Sequence, residues 1–410
     1  MGLREDADTI IRTVIADVLP DSAVKKALRE ANLRSGRVVL IAAGKAAWQM
    51  AYAAAVELGR QINSGVVITK YEHSKGPIAN FEIYEAGHPV PDENSFRATE
   101  AAIHAVEDLT SEDTVLFLLS GGGSALFEVP KVSAEELDSV TRQLLASGAD
   151  IVEMNTIRKR LSRVKGGRFA QLCAPAHVVQ IVLSDIIGDP LDMIASGPAY
   201  PDSSTCAQAE EIAEKYHLEL SETGWECLRK ETPKTLDNVE AHVTGSVREL
   251  CASGERACRA LGYEPIILTA SLCCEAREAG TFLAGIAQYY NSTSKSLAFL
   301  AGGEMVVHLT GQGLGGRNQE MVLSAAAGIE GLRQTAIFSV GSDGTDGPTD
   351  AAGGFADQDT ARVLREKGLQ ISRILADNDA YHGLQQCNGL IFTGATGTNV
   401  NDLSVLLIRR

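Results

Sequence analysis

Val38-Val39-Leu40-Ile41-Ala42-Ala43 is apolar at every position and stops abruptly at Gly44-Lys45. A half-solvated strand would alternate, so the run reads as a strand buried on both faces, as in a parallel sheet flanked by helices. Thr114 to Leu119 repeats the pattern and ends in Ser120-Gly121-Gly122-Gly123-Ser124; Val178 to Leu183 repeats it and ends in Ser184-Asp185. Gly65 to Thr69 and Phe81 to Glu85 are further strand candidates. Helical stretches lie around them: Ala7 to Val18, Ser22 to Ala31, an Ala-rich run from Ala46 to Leu58, and Asp92 to Leu109. Ser133-Ala134-Glu135-Glu136 matches a capping box and predicts a helix to Ala146. This order of elements predicts an α/β fold with a parallel sheet covered on both faces.

At 410 residues the chain is long for one core, and two domains are expected. Residues 203–245 are more polar and mostly helical, which places the boundary there: 1–240 and 241–410. The second half offers strands at Pro265 to Leu268, Leu297 to Leu300, Met305 to Leu309, Thr335 to Val340, Leu390 to Thr393 and Ser404 to Ile408. Met305 follows Leu300 too closely for a helical crossover, so a mixed sheet is predicted there. The last strand is expected to be able to pack back on the first domain.

The net charge of −16 argues against nucleic acid or an anionic membrane as partner. No run approaches the roughly 18 apolar residues of a membrane span, and the acidic start of the chain is unlike a signal peptide, so a cytoplasmic protein is expected. The eight cysteines show no C-x-x-C spacing and read as small buried hydrophobes.

Chemistry is expected where the strands end. Gly44-Lys45, Ser120 to Ser124, Ser184-Asp185, Gly302-Gly303-Glu304, Gly341 to Gly347 and Gly394 to Asp402 all follow predicted strands. Open α/β sheets bind ligands at that edge, where glycines let backbone amides approach phosphate and carboxylates can hold Mg²⁺. The triple-glycine loop is neither a Walker motif nor G-x-G-x-x-G, and reads equally as phosphate cradle or tight turn. Asp185, Asp189 and Asp192 form one candidate Mg²⁺ loop; Asp343, Asp346 and Asp350, with Thr345 among them, form another. Gly315-Gly316-Arg317-Asn318 opens a helix whose amides, with Arg317, could face a phosphate. Met154 to Arg168 carries six basic residues, Arg158 and Lys165 among them, and no acid. That is either a solvated face or an anion-attracting rim. His88, after a candidate strand, either touches substrate or makes a structural hydrogen bond.

Taken in order from residue 38 to 402, these segments resemble the glycerate 2-kinase family, the type II glycerate kinases with a MOFRL C-terminal domain. Ala43-Gly44-Lys45-Ala46-Ala47, Ala86-Gly87-His88-Pro89, Leu119 to Leu126, Asn155-Thr156-Ile157-Arg158-Lys159 and Lys165-Gly166-Gly167-Arg168 carry the resemblance in the first half, with Leu183 to Pro190 and Ser196-Gly197-Pro198. Gly302-Gly303-Glu304, Gly315 to Glu320, Gly341 to Gly353 and Gly397 to Asp402 carry it in the second. The resemblance implies two unlike three-layer α/β/α domains, a Rossmann-like parallel sheet followed by a mixed one, with the active cleft between them. It implies ATP-dependent phosphorylation of D-glycerate at the 2-hydroxyl, with Mg²⁺, and admits a homodimer. Lys45 and Arg317 match positions to which the family assigns catalysis, and Asp189 is the carboxylate nominated to orient the hydroxyl. In the same reading Ser120, Gly121, Gly122, Gly123, Ser124, Gly316, Asn318, Asp343 and Thr345 hold phosphate or nucleotide. His88, Arg158, Lys165 and Glu304 hold substrate, and Asp185, Asp189 and Asp346 hold the metal. Leu314 replaces a more typical lysine beside the Gly-Gly-Arg motif, which lowers the positive charge there.

Two other readings compete. Relatives carry the label hydroxypyruvate reductase, but an NAD(P)H enzyme should show a glycine fingerprint after its first strand, and this chain has one glycine and then Lys45. A non-catalytic sugar-acid or nucleotide sensor would bind without turnover and tolerate Lys45→Ala.

Overall fold

The computed structural model describes residues 2–184, 188 and 191–410. The chain opens with α1 (Leu3–Asp17) and α2 (Pro20–Glu30), then runs β1 (Val38–Ala43), α3 (Ala47–Leu58), β2 (Ile62–Lys70), β3 (Phe81–Ala86), α4 (Glu93–Ala105) and β4 (Thr114–Leu119). The short α5 (Gly123–Leu126), α6 (Ala134–Ala146), α7 (Ile151–Leu161) and α8 (Arg168–Cys173) lead to β5 (His177–Leu183). After them come α9 (Cys206–Lys215), α10 (Glu222–Leu228), β6 (Val239–Thr244), α11 (Val247–Ala260), β7 (Glu264–Leu272), α12 (Ala276–Tyr289), β8 (Leu297–Gly303) and α13 (Arg317–Gly328). The chain closes with β9 (Thr335–Gly341), β10 (Gly353–Asp357), α14 (Thr360–Glu366), α15 (Ile371–Ala376), α16 (Ala380–Gln385), β11 (Leu390–Ile391) and β12 (Asp402–Ile408).

The first compact unit comprises residues 23–184 and 191–244. Its sheet has the order β3-β2-β1-β4-β5-β6, and every pairing is parallel, as the unalternating strands predict. Ile41, Phe117 and Val182 pack on one face with Phe127 and Phe169, and Leu40, Leu118 and Ile181 pack on the other with Met50 and Ala51. Residues 203–245, expected to be mainly helical, also supply the sixth strand: β6 alternates half-buried and exposed residues, as an edge strand does, and so lacks the apolar run that betrays its neighbours. The division expected at residue 240 would cut this strand.

The second unit comprises residues 245–410 and takes α1 from the start of the chain. Ala7, Ile10 and Val14 pack with Leu250, Phe338 and Val405. The sheet order is β11-β10-β9-β12-β8-β7. It is mixed, but not for the predicted reason. Met305 to Leu309 is not a strand; Val306 makes only an isolated bridge to Glu275. The mixture comes from β12, antiparallel to both β8 and β9, and from β10, antiparallel to β9. The last strand, expected to be able to cross to the first unit, lies in the middle of its own sheet and is buried along its length. β10 escapes prediction because Gly353-Gly354-Phe355-Ala356-Asp357 has little strand propensity. Its glycines are there because a Cβ at Gly353 would collide with the Ser339 carbonyl.

Candidate active site

In the first unit the loops after β1 and β4 are built against each other. The Lys45 amide donates to the Gly121 carbonyl (2.8 Å), and the Ala46 amide donates to Ser120 Oγ (3.0 Å). Gly44 has φ +128°, and a Cβ there would run into Ser120, so only glycine lets the two loops close. Gly122 has φ +84°, and a Cβ on it would lie 3.0 Å from His88 Cδ2 and 3.3 Å from Lys45 Cγ. Lys45, His88 and the triple glycine are therefore one cluster at the C-terminal edge of a parallel sheet.

The cluster is electropositive and has donors to spare. Lys45 is exposed, and its ammonium makes no hydrogen bond or ion pair among the described residues. The amides of Gly121 and Gly122 have no backbone acceptor there either. Partial burial, then the nearby charges of Lys45 and Lys70, hold the His88 imidazole below its ordinary pKa, so it is neutral at pH 7. Two free amides and an unpaired ammonium fit an oxyanion of phosphate type.

The basic segment divides. Arg158 reaches the cluster, donating from Nη2 to the Ser124 carbonyl (3.1 Å). Lys165, expected at the substrate, is fully buried: Nζ pairs with Glu128 (2.9 Å) and donates to the carbonyls of Ser124 and Phe127, 2.9 Å each. Burial, partly opposed by Glu128, lowers its pKa to about 8. It fastens the end of the glycine loop from below. Arg160 and Lys159 are also buried, bound to Asp202 and its surroundings. Ser124 and Ser196 hydroxyls lie 3.3 Å apart, and Ser196 donates to Asn155 (2.9 Å), so Ser124 faces protein. Asp185 and Asp189 lie outside the described residues.

In the second unit Arg317 begins α13 and is held on two sides. Nε and Nη2 form a fork on Asp402 (2.6 and 3.1 Å), while Nη1 donates to Glu304 (2.9 Å). Burial works against its charge, but Asp402 and Glu304 outweigh it and hold the guanidinium above its ordinary pKa. Asp402, the first residue of β12, is the partner that sequence reading missed, although it closes the Gly397 to Asp402 motif. Burial raises its carboxyl and Arg317 pulls it back. Glu304 follows Gly303 at the end of β8, accepts from Asn401 as well (3.3 Å), and is exposed. Its expected contact with substrate thus competes with a contact to Arg317.

The start of α13 is not an open phosphate cradle. Asp346 caps it: Oδ1 accepts from the Asn318 amide (3.1 Å) and Oδ2 from the Gln319 amide (2.9 Å). Gly316 packs directly on this carboxylate, and Asn318 is buried between Asp346 and Ser339. A helix N-terminus favours one anion, and the protein supplies it. Gly316 and Asn318, expected at a phosphate, thus face a protein carboxylate, and Asp346, expected at a metal, faces a helix end. Burial, reinforced by Asp402, raises Asp346 to about 6 despite the capping bonds. Asp343 is half-buried and accepts from the Thr345 amide (3.0 Å); Thr345 itself is exposed. Among the described residues no group of three His, Cys, Asp or Glu side chains has an arrangement that holds a metal ion.

A family model described as a domain of unknown function, DUF4147, matches residues 6–229, and the MOFRL family matches residues 297–402. The D-glycerate 2-kinase of Thermotoga maritima is 52% identical over 99% of both chains. A crystal structure of glycerate kinase from that organism superposes with a TM-score of 0.95 over 99% of both chains. The glycerate 2-kinase of Pyrococcus horikoshii is 39% identical over 91% of this chain and 88% of its own. A protein of Agrobacterium vitis named as a hydroxypyruvate reductase is 40% identical over 91% of this chain and 100% of its own. With the fold, the motif order and full-length identity in agreement, the chain belongs to the glycerate 2-kinase family.

Proposed function

We propose that the protein is a cytoplasmic, ATP-dependent kinase, working as a homodimer, that phosphorylates D-glycerate at the 2-hydroxyl to give 2-phosphoglycerate. The observation that carries this reading is Lys45, whose stem lies against Gly122 and whose ammonium has no partner among the described residues, next to the Gly121 and Gly122 amides, which have no acceptor there either, in a chain whose net charge is −16. The substrate hydroxyl oxygen forms the new P–O bond as the bond to ADP breaks, and the hydroxyl proton passes to solvent water. Lys45 and the loop amides neutralise charge on the phosphoryl group. Arg317, its fork anchored by Asp402, presents the rest of its guanidinium to a phosphate or to the substrate carboxylate. His88 and Arg158 contact substrate, and Asp189 orients the 2-hydroxyl. Mg²⁺ characteristically needs only one or two carboxylates besides the substrate phosphates. The described carboxylates do not form a closed site for it, and no step above depends on one.

The test is an ADP-coupled assay with ATP and D-glycerate, followed by phosphorus NMR of the product. A 3-phosphoglycerate signal, or no turnover, would overturn the assignment. Hydroxypyruvate with NADH or NADPH should give no loss of absorbance.

A further inference from the structure

Arg317 carries more counter-charge than one guanidinium needs. Asp402, its side chain 4% exposed, takes Nε and Nη2 in a fork, while Glu304, 49% exposed, takes Nη1 alone (2.9 Å). The two carboxylates are not held equally. A buried fork is charge-assisted and fixed in geometry, so Asp402 stays. An exposed ion pair contributes little, because water competes for both partners. Glu304 is therefore the partner that a ligand can replace.

The second oxygen of Glu304 marks what the replacing group would touch. Oε2 accepts from Asn401 Nδ2 (3.3 Å) while Oε1 accepts from Arg317 Nη1, so two donors from different segments grip one carboxylate. Both donors are set in place without Glu304. Arg317 is anchored by Asp402. Asn401 is buried directly before β12, and its carbonyl accepts from the Ser342 amide (3.0 Å). Glu304 is exposed, and its side chain can turn into solvent without moving either donor.

Charge decides which anion takes the place. Asp402, Glu304 and Asp346 all act on the charge of Arg317. Asp343 is close as well: its Oδ1 and that of Asp402 lie 3.2 and 3.4 Å from where a Cβ on Gly341 would stand. Exchanging Glu304 for one other carboxylate leaves the local charge as it is. A phosphate dianion would add to a surplus of negative charge.

We propose that Arg317 Nη1 and Asn401 Nδ2 form the subsite for the carboxylate of a 2-hydroxy acid, and that Glu304 occupies it as an internal stand-in until substrate displaces it. Under the proposed reaction, on which this rests, Arg317 then serves the substrate carboxylate and not a phosphate, and Asn401 becomes a residue that determines specificity. A neutral polyol brings no anion to exchange for Glu304. The contact that lowers affinity for the acid thus also excludes its uncharged relatives.

Calorimetric titration of the full chain with D-glycerate (with and without ADP), glycerol and ATP provides the test. Asn401→Gly suits the left-handed backbone at this position (φ +65°) and removes only the amide. It should weaken D-glycerate at least ~10-fold and leave ATP affinity unchanged. Glu304→Ala, at an exposed position, should bind D-glycerate about 3-fold more tightly. Glycerol should not bind the wild type. Weaker D-glycerate binding by Glu304→Ala overturns the proposal, because Glu304 would then touch substrate itself. Loss of ATP affinity in Asn401→Gly with D-glycerate affinity kept overturns it too, because the pair would then hold phosphate. Unchanged D-glycerate affinity in both variants has the same force. Should Asn401→Gly fail to melt cooperatively, the sign of the Glu304→Ala change still decides. A wild type that binds ATP but no D-glycerate overturns this subsite together with the proposed substrate, so the two failures are distinguishable.

Discussion

Gly122 has room for one hydrogen and no more, because His88 and the Lys45 stem occupy the space above it. Gly122→Ala would put a methyl group into a left-handed backbone and push both neighbours aside. It should lower kcat/KM for ATP-dependent turnover by at least ~10-fold while costing only about 1 kcal/mol of stability. Lys45→Ala should leave the melting temperature unchanged and lower kcat about 10²–10³-fold, the scale on which one preorganised electrostatic group is removed. Full activity in that variant would sink the role given to Lys45. Asp346 makes a pH prediction. Its native pKa, about 6 against an ordinary 3.8, means that the folded protein holds the proton more tightly. The stabilisation is fully present below pH 3.8 and is lost as pH rises through 6. Urea unfolding at pH 4.5 to 7.5 should show wild type losing stability relative to Asp346→Asn across that window. At this scale the sequence told that Lys45 and the glycines gather at the sheet's edge, since they directly follow buried strands. It could not tell which basic side chain turns inward: Lys165 is buried because its acid, Glu128, comes from another segment.

Elements in the first unit were legible wherever both faces of a strand are covered, because burial on both sides leaves an apolar run. β6 and β10 were not, for opposite reasons. β6 is an edge with a mixed pattern, and β10 is made of glycines that pairing with β9 demands and propensity disfavours. Met305 to Leu309 misled because local apolarity does not report whether a neighbour is present to pair with. The Lys165–Glu128 pair gives this scale its prediction. It joins the chain after α5 to the turn between α7 and α8, with both side chains fully buried. Glu128→Gln leaves a buried ammonium without its counter-charge and should cost about 3–5 kcal/mol. A thermal melt unchanged from wild type would show the pair to be dispensable.

For the whole molecule, the second unit depends on a helix encoded at the other end of the chain. Residues 245–410 alone would expose the apolar surface that α1 covers, at Leu250, Phe338 and Val405. That fragment should aggregate or lack a cooperative melt, and co-expression with residues 1–22 should restore one. If the fragment melts cooperatively on its own, α1 is not part of that core. The sequence by itself determined the fold class, the existence of two sheets, the glycine-rich loops at strand ends and the family, because each of these is written in local runs and ordered motifs. The tertiary structure alone decided that Asp346 belongs to a helix end, that Asp402 grips Arg317, that Lys165 faces inward and that α1 completes a distant core. Each of these pairs residues far apart in the chain, and a local pattern records a side chain's character but not the partner that burial assigns to it.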